Sequence, residues 1–136
     1  MKVTSEFYTL KPYANLLYVK SFLSWDERVS KRFARDTLGI VQKCYREKPW
    51  AVLHDMEEWQ LGTPEIEEIL SELLNTELTN THTHHALAVG TSQIKKWQIE
   101  NIVKDISRYK IRLFKTSEDA EKWLISLGYD RSSPQF

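Results

Sequence analysis

The side chains best suited to metal binding or nucleophilic chemistry in this chain are four histidines and one cysteine. His82, His84 and His85 cluster, while His54 stands at the end of an apolar run. On a strand, His82 and His84 would share a face, and two imidazoles can begin a zinc site. No cysteine pair accompanies them, nor a carboxylate at ligand spacing. The stretch from Asn75 to Thr83 is polar and lacks apolar periodicity, so it reads as a loop where neutral histidines are solvated. No metal is expected. Cys44 falls on the apolar stripe of a helix, where a free thiol behaves as a small hydrophobe and burial keeps it protonated.

Asp55, Glu57, Glu58 and Glu65 form the next cluster. Paired carboxylates do acid–base work only where burial separates their pKa values, and the sequence supplies no pocket for that. Glu65 complements a helix dipole, and the other three read as solvated loop charges. Phosphate binding at a helix N-terminus is the remaining chemistry. The chain has only four glycines and no glycine-rich loop, and three helix starts carry acids. Only the helix capped by Ser92, with Lys95 and Lys96, would welcome an anion. No catalytic residue and no cofactor is expected.

These residues must be positioned by an alternation of strands and helices. Phe7–Leu10 and Leu16–Phe22 are rich in aromatic and β-branched residues and flank a polar Lys11–Asn15, a β-hairpin pattern. Their short connection makes the two strands antiparallel. Ser24-Trp25-Asp26-Glu27 matches a capping box, predicting a first helix to about Glu47 with Trp25, Val29, Phe33, Ile40, Val41 and Cys44 on one face. Trp50–Leu53 is a short apolar run fit for a strand buried on both faces. After a loop from Asp55 to Thr63, Thr63-Pro64-Glu65 gives an N-cap, a first-turn proline and an acid. Ile66, Ile69, Leu70, Leu73 and Leu74 then repeat at helical spacing. His85–Gly90 reads as a strand, Ser92 to about Tyr109 as a helix, and Lys110–Phe114 as a last strand. Thr116 or Ser117 caps a fourth helix with Ala120, Trp123, Leu124 and Leu127 inward and Gly128 as its C-cap. Strands alternating with helices predict an α/β fold: a hairpin, then a mostly parallel five-stranded sheet with four main helices.

At 136 residues the chain is sized for one domain, expected over 6–129, with flexible ends at 1–5 and 130–136. Nineteen basic and nineteen acidic residues cancel, so no net field draws the chain to nucleic acid or anionic lipid. One cysteine precludes an internal disulfide and fits a cytoplasmic setting. No apolar run approaches the roughly 20 residues of a membrane span, so no membrane insertion is expected.

The order of elements, with Trp50-Ala51-Val52-Leu53-His54-Asp55, Thr63-Pro64-Glu65 and Phe114 ahead of Ala120, Trp123 and Leu124, resembles the SpoIIAA-like proteins. These are bacterial relatives of the STAS domain, and the resemblance covers roughly residues 6–129. It implies a small cytosolic protein of unassigned role; the fold is also similar to that of CRAL-TRIO lipid carriers. Antagonist members carry an Asp-Ser-Ser-Gly loop whose serine is phosphorylated. Asp55 matches the start of that loop, but Met56, Glu57 and Glu58 replace its serine and glycine. The resemblance therefore does not extend to a phosphorylation switch.

Together these readings describe a non-catalytic binding or regulatory module. A protein partner would meet the carboxyl edge of the sheet at Asp55, Thr63 and Ser92, with Trp25 and Trp59 as anchors. A carrier of a small apolar ligand is the alternative, and an enzyme using the acids around Asp55 comes third. The third helix adds a separate expectation. At about 100° per residue, Ile99, Ile102, Val103 and Ile106 share one face, whereas Ile94 and Trp97 lie outside it. Exposed apolar residues of this kind favour a homodimer or partner contact.

Overall fold

Trp50–Asp55 (β5) is buried at all six positions, as expected for a strand covered on both faces. The computed structural model describes residues 2–76 and 80–132. Around β5 lie Val3–Thr4 (β1), Tyr8–Pro12 (β2), Leu16–Ser21 (β3), His82–Ala88 (β7) and Lys110–Phe114 (β8). The sheet order is β1-β2-β3-β5-β7-β8. β2 is antiparallel to β1 and β3, while β3, β5, β7 and β8 run parallel. The sheet has six strands instead of five, because Val3 and Thr4 pair with Leu10 and Thr9 in a stretch expected to be loose. At the other end, Arg131 forks onto the Glu121 carboxylate; residues 133–136 of the expected tail lie outside the described residues.

Helices Glu27–Cys44 (α1), Glu65–Asn75 (α2) and Gln93–Val103 (α3) accompany one face of the sheet, and Ser117–Ser126 (α4) covers the other. Alternate residues serve each core: Leu17, Val19, Val52 and Leu87 face the three helices, while Leu16, Ala51, Leu53 and Ala86 face α4. Alanines on the α4 side let that helix sit close, with Ala120 and Leu124 fully buried against them.

Several expected boundaries move. Asp26, not Ser24, caps α1, its carboxylate accepting from the Val29 N–H at 3.0 Å. Ser24 is unavailable because Leu23–Trp25 (β4) pairs in parallel with Trp59–Gly62 (β6), a two-stranded sheet within what read as helix and loop. Thr63 does not cap α2; among the described residues no side-chain hydrogen bond caps its N-terminus, and Pro64 takes the boundary position. The Thr63 hydroxyl instead helps, after backbone N–H donation, to hold the Glu65 carboxyl below its usual range. A Cβ at Gly62 would collide with the side chain of the fully buried Ile66 and displace it. α3 ends at Val103 rather than near Tyr109. The residues beyond it serve the end of α2: the Tyr109 hydroxyl and Arg108 guanidinium donate to the Leu74 and Asn75 carbonyls of its last turn. Thr116 caps α4 as read, but Leu127 is exposed beyond its end.

Candidate functional site

Three of the four histidines lie inside the molecule. The last two residues of the stretch read as a solvated loop, His82 and Thr83, already belong to β7, and the β5–β7 register slips by one residue: Trp50 pairs with His82, and Ala51 with His84. The extra residue, Thr83, is a bulge that reverses the pleat. His82 and His85 therefore share the face under the helices, while His84 turns to Trp123 and Tyr129 on the α4 side. His82 is sandwiched by Trp50 and Tyr109, with ring centroids 4.5 and 3.9 Å away. His54 lies on the same face of β5, stacked with Phe33 at 5.9 Å and 6.5 Å from His85.

Burial dictates the charge of these rings. The pKa of His54 is pushed down to about 3 by burial, with His85 contributing, and that of His85 to about 3 by burial alone. His82 is lowered well below the ordinary imidazole value, again chiefly by burial. All three are neutral near pH 7. His54 Nε2 shares a 2.6 Å hydrogen bond with the Ser21 hydroxyl. His85 Nδ1 and both nitrogens of His82 have no hydrogen-bond partner among the described residues. Among those residues no group of three or more His, Cys, Asp and Glu side chains is placed to hold a metal ion.

His54 and His85 help line a cavity of about 50 Å³ between the sheet and the three helices. Its wall is otherwise mostly apolar, with Val52 and Leu87 from the sheet, Leu70 from α2, Ile99 from α3, and Trp25 at one end. Thr37 of α1 is the other polar residue in the lining, and its hydroxyl also lacks a partner. Every lining residue is buried except Leu74 and Val103, near the C-terminal ends of α2 and α3, where the cavity comes nearest the surface.

The opposite end of α3 is fastened down. The Lys95 ammonium, only 5% exposed, donates to the carbonyls of Met56, Glu57 and Trp59 at 2.6, 3.1 and 2.9 Å. Burial lowers the pKa of Lys95, while Glu57 and Asp55 pull it back up. Gln98 accepts from the Gly62 N–H and donates to the Gly62 carbonyl, at 3.0 and 2.9 Å. These bonds set α3 over β6 and fix the roof of the cavity.

Of the residues expected to form a binding edge, Trp25, Trp59 and Thr63 are brought together, the Thr63 N–H donating to the Trp25 carbonyl at 3.0 Å, but the two tryptophans face inward. Trp25 and Trp59 are each 1% exposed and pack edge-to-face at 6.2 Å, so neither can anchor a surface partner. The Trp25 indole N–H is spent on the Phe7 and Phe22 carbonyls. Asp55 lies at the end of β5, largely buried, with its carboxyl pKa raised by burial and its Oδ1 accepting from the Glu57 N–H. Thr63 is exposed, and Ser92 caps α3 through the Lys95 N–H. Ile94 and Trp97 do reach the surface, at 65% and 61% exposure. The buried histidines and the cavity had no signature in the sequence beyond the density of His between Thr81 and Ala86.

Neither a protein-family model nor a curated protein sequence matches the chain. Among solved structures, the chain is similar to an uncharacterised protein of the DUF3478 family from Shewanella loihica PV-4, described as having a SpoIIAA-like fold. The match covers 91% of this chain and 98% of that one, with a TM-score of 0.62 and 12% sequence identity. The fold is SpoIIAA-like. At that identity the likeness concerns the SpoIIAA-like backbone, and the side chains of the cavity speak for this chain alone. Among the described residues no helix is long and apolar enough to cross a membrane.

Proposed function

We propose that this SpoIIAA-like protein is a non-catalytic carrier or sensor of a small, mostly apolar ligand held between the sheet and α1–α3. The observation that carries this reading is the buried cavity of about 50 Å³, apolar except for Thr37, His54 and His85. Protein interiors pack with few voids larger than a water molecule, so an apolar cavity of this size is the feature of the fold best suited to a small guest. The burial of Trp25 and Trp59 counts against the alternative of a tryptophan-anchored edge. Xenon is taken up by dry apolar cavities. A crystal held under xenon pressure should show one site between Val52, Leu70, Leu87 and Ile99; its absence would argue that the space closes in solution or is filled by water.

A second reading, self-association through α3, is favoured by the exposure of Ile94 and Trp97. The two are compatible, since the exposed face of α3 is opposite the one that roofs the cavity. A cytoplasmic setting, from the lone cysteine, suits either role.

A further inference from the structure

We propose that the outer edge of β8 is a docking site for an extended peptide segment in which acidic and apolar residues alternate. β8 ends the sheet, with β7 on one side and no strand on the other. The Phe114 carbonyl accepts from the Val89 N–H at 2.8 Å, so Lys110, Arg112 and Phe114 turn their backbone groups toward β7. By the alternation of a strand, the N–H and C=O of Ile111 and Leu113 point outward, where they have no hydrogen-bond partner among the described residues. After β8 the chain turns back over the sheet, and α4 packs Ala120 and Leu124 against Ala51 and Ala86, away from this edge. A row of unpaired backbone groups is a template for a further strand. The opposite edge, β1, offers only Val3 and Thr4.

The side chains of β8 set what that added strand must carry. Lys110 and Arg112 are exposed on the α4 face, where the Arg112 guanidinium lies 4.9 and 5.7 Å from the Phe114 and Trp123 ring centroids. Ile111 and Leu113 are half-buried on the helical face. Residues directly opposite on paired strands share a face, so a docked segment meets cations on one side and apolar groups on the other. Residues 104–115 carry five basic side chains and one acidic, although the charges of the whole chain cancel. Arg108 donates to the Asn75 carbonyl, but Lys104, Lys110 and Lys115 have no ion pair among the described residues. Past Leu113 the edge opens into a groove of about 310 Å³ beside the start of α3, lined in part by Lys96 and Lys115. The same charges exclude a second copy as the occupant, since β8 against β8 would set Lys110 and Arg112 against themselves. Nucleic acid would use the cations but leave the outward backbone groups of Ile111 and Leu113 unpaired.

An NMR titration of the full chain with the peptide acetyl-Ser-Glu-Val-Glu-Val-Glu-Ser-amide tests this, read by amide hydrogen exchange. The Ile111 and Leu113 amides should become protected as peptide is added, while the same peptide with Lys in place of Glu leaves them open. Lys110→Glu combined with Arg112→Glu changes two exposed side chains; it should weaken the acidic peptide roughly tenfold and admit the lysine peptide. A single-stranded oligothymidylate should leave both amides open. No protection at millimolar acidic peptide, equal protection by the lysine peptide, or indifference to the charge reversal would overturn the inference. So would protection by the oligothymidylate, or protection in the free chain that rises with its own concentration. None of these outcomes bears on the cavity, whose lining shares no residue with β8.

Discussion

Ser21, the last residue of β3, reaches His54 near the end of the adjacent β5, hydroxyl to Nε2 at 2.6 Å, on the face under the helices. Ser21 is fully buried, so the pair satisfies two polar groups that have no access to water. Ser21→Ala would leave the imidazole nitrogen unpaired, and a loss of about 1–3 kcal/mol is expected in urea unfolding. A change within error would mean that water or another group takes over the bond.

Acid should destabilise the protein well before its carboxylates protonate. The pKa values of His54 and His85 fall from 6.5 in the unfolded chain to about 3 in the folded one. Between those values the unfolded state binds more protons, so stability is full above about pH 6.5 and declines as pH falls toward 3. Each histidine contributes roughly 1.4 kcal/mol per pH unit across that window. Unfolding free energies measured from pH 7.5 to 4.5 should show this slope, and a flat profile would require solvated histidines.

The caps make a paired comparison. Asp26→Ala removes the carboxylate that accepts from Val29 N–H, and about 1 kcal/mol should be lost. Thr63→Ala removes no cap bond and touches only the exposed Glu65, so its effect should stay within about 0.5 kcal/mol. Thermal melts of the two variants check this; equal losses would restore Thr63 as a cap.

Most of the architecture could be read from periodicity, because burial on two faces leaves little choice. The run Ile66, Leu70, Leu73 marks the inner face of α2, and Trp50–Leu53 can only be an interior strand. The site could not be read, for three physical reasons. A one-residue bulge at Thr83 has no sequence signature, yet it decides which histidines share a face. The short strands β4 and β6 are held by tertiary pairing over a long separation, so Ser24 read as a cap and Trp59 as a loop residue. Tryptophan itself is ambiguous, since interfaces and cores favour it alike: Trp25 and Trp59 went inside, and Trp97 stayed out. That last position followed from its angle on the helix, opposite Ile99 and Ile102, which are buried.

Trp97 therefore supplies the test of self-association. If α3 pairs with a second copy, the wild-type protein should sediment as a dimer or larger species, and Trp97→Ala should shift it toward monomer with little change in melting temperature. A wild-type protein that sediments as a monomer at high concentration would remove this reading, while the cavity would be unaffected.

The central claim is that the cavity holds a ligand, and native mass spectrometry of the protein isolated gently from its host tests it most directly. The expected spectrum contains a species heavier than the bare chain by one small molecule, released on denaturation. A spectrum holding only the bare chain, or the chain with a protein partner and no small molecule, would contradict it.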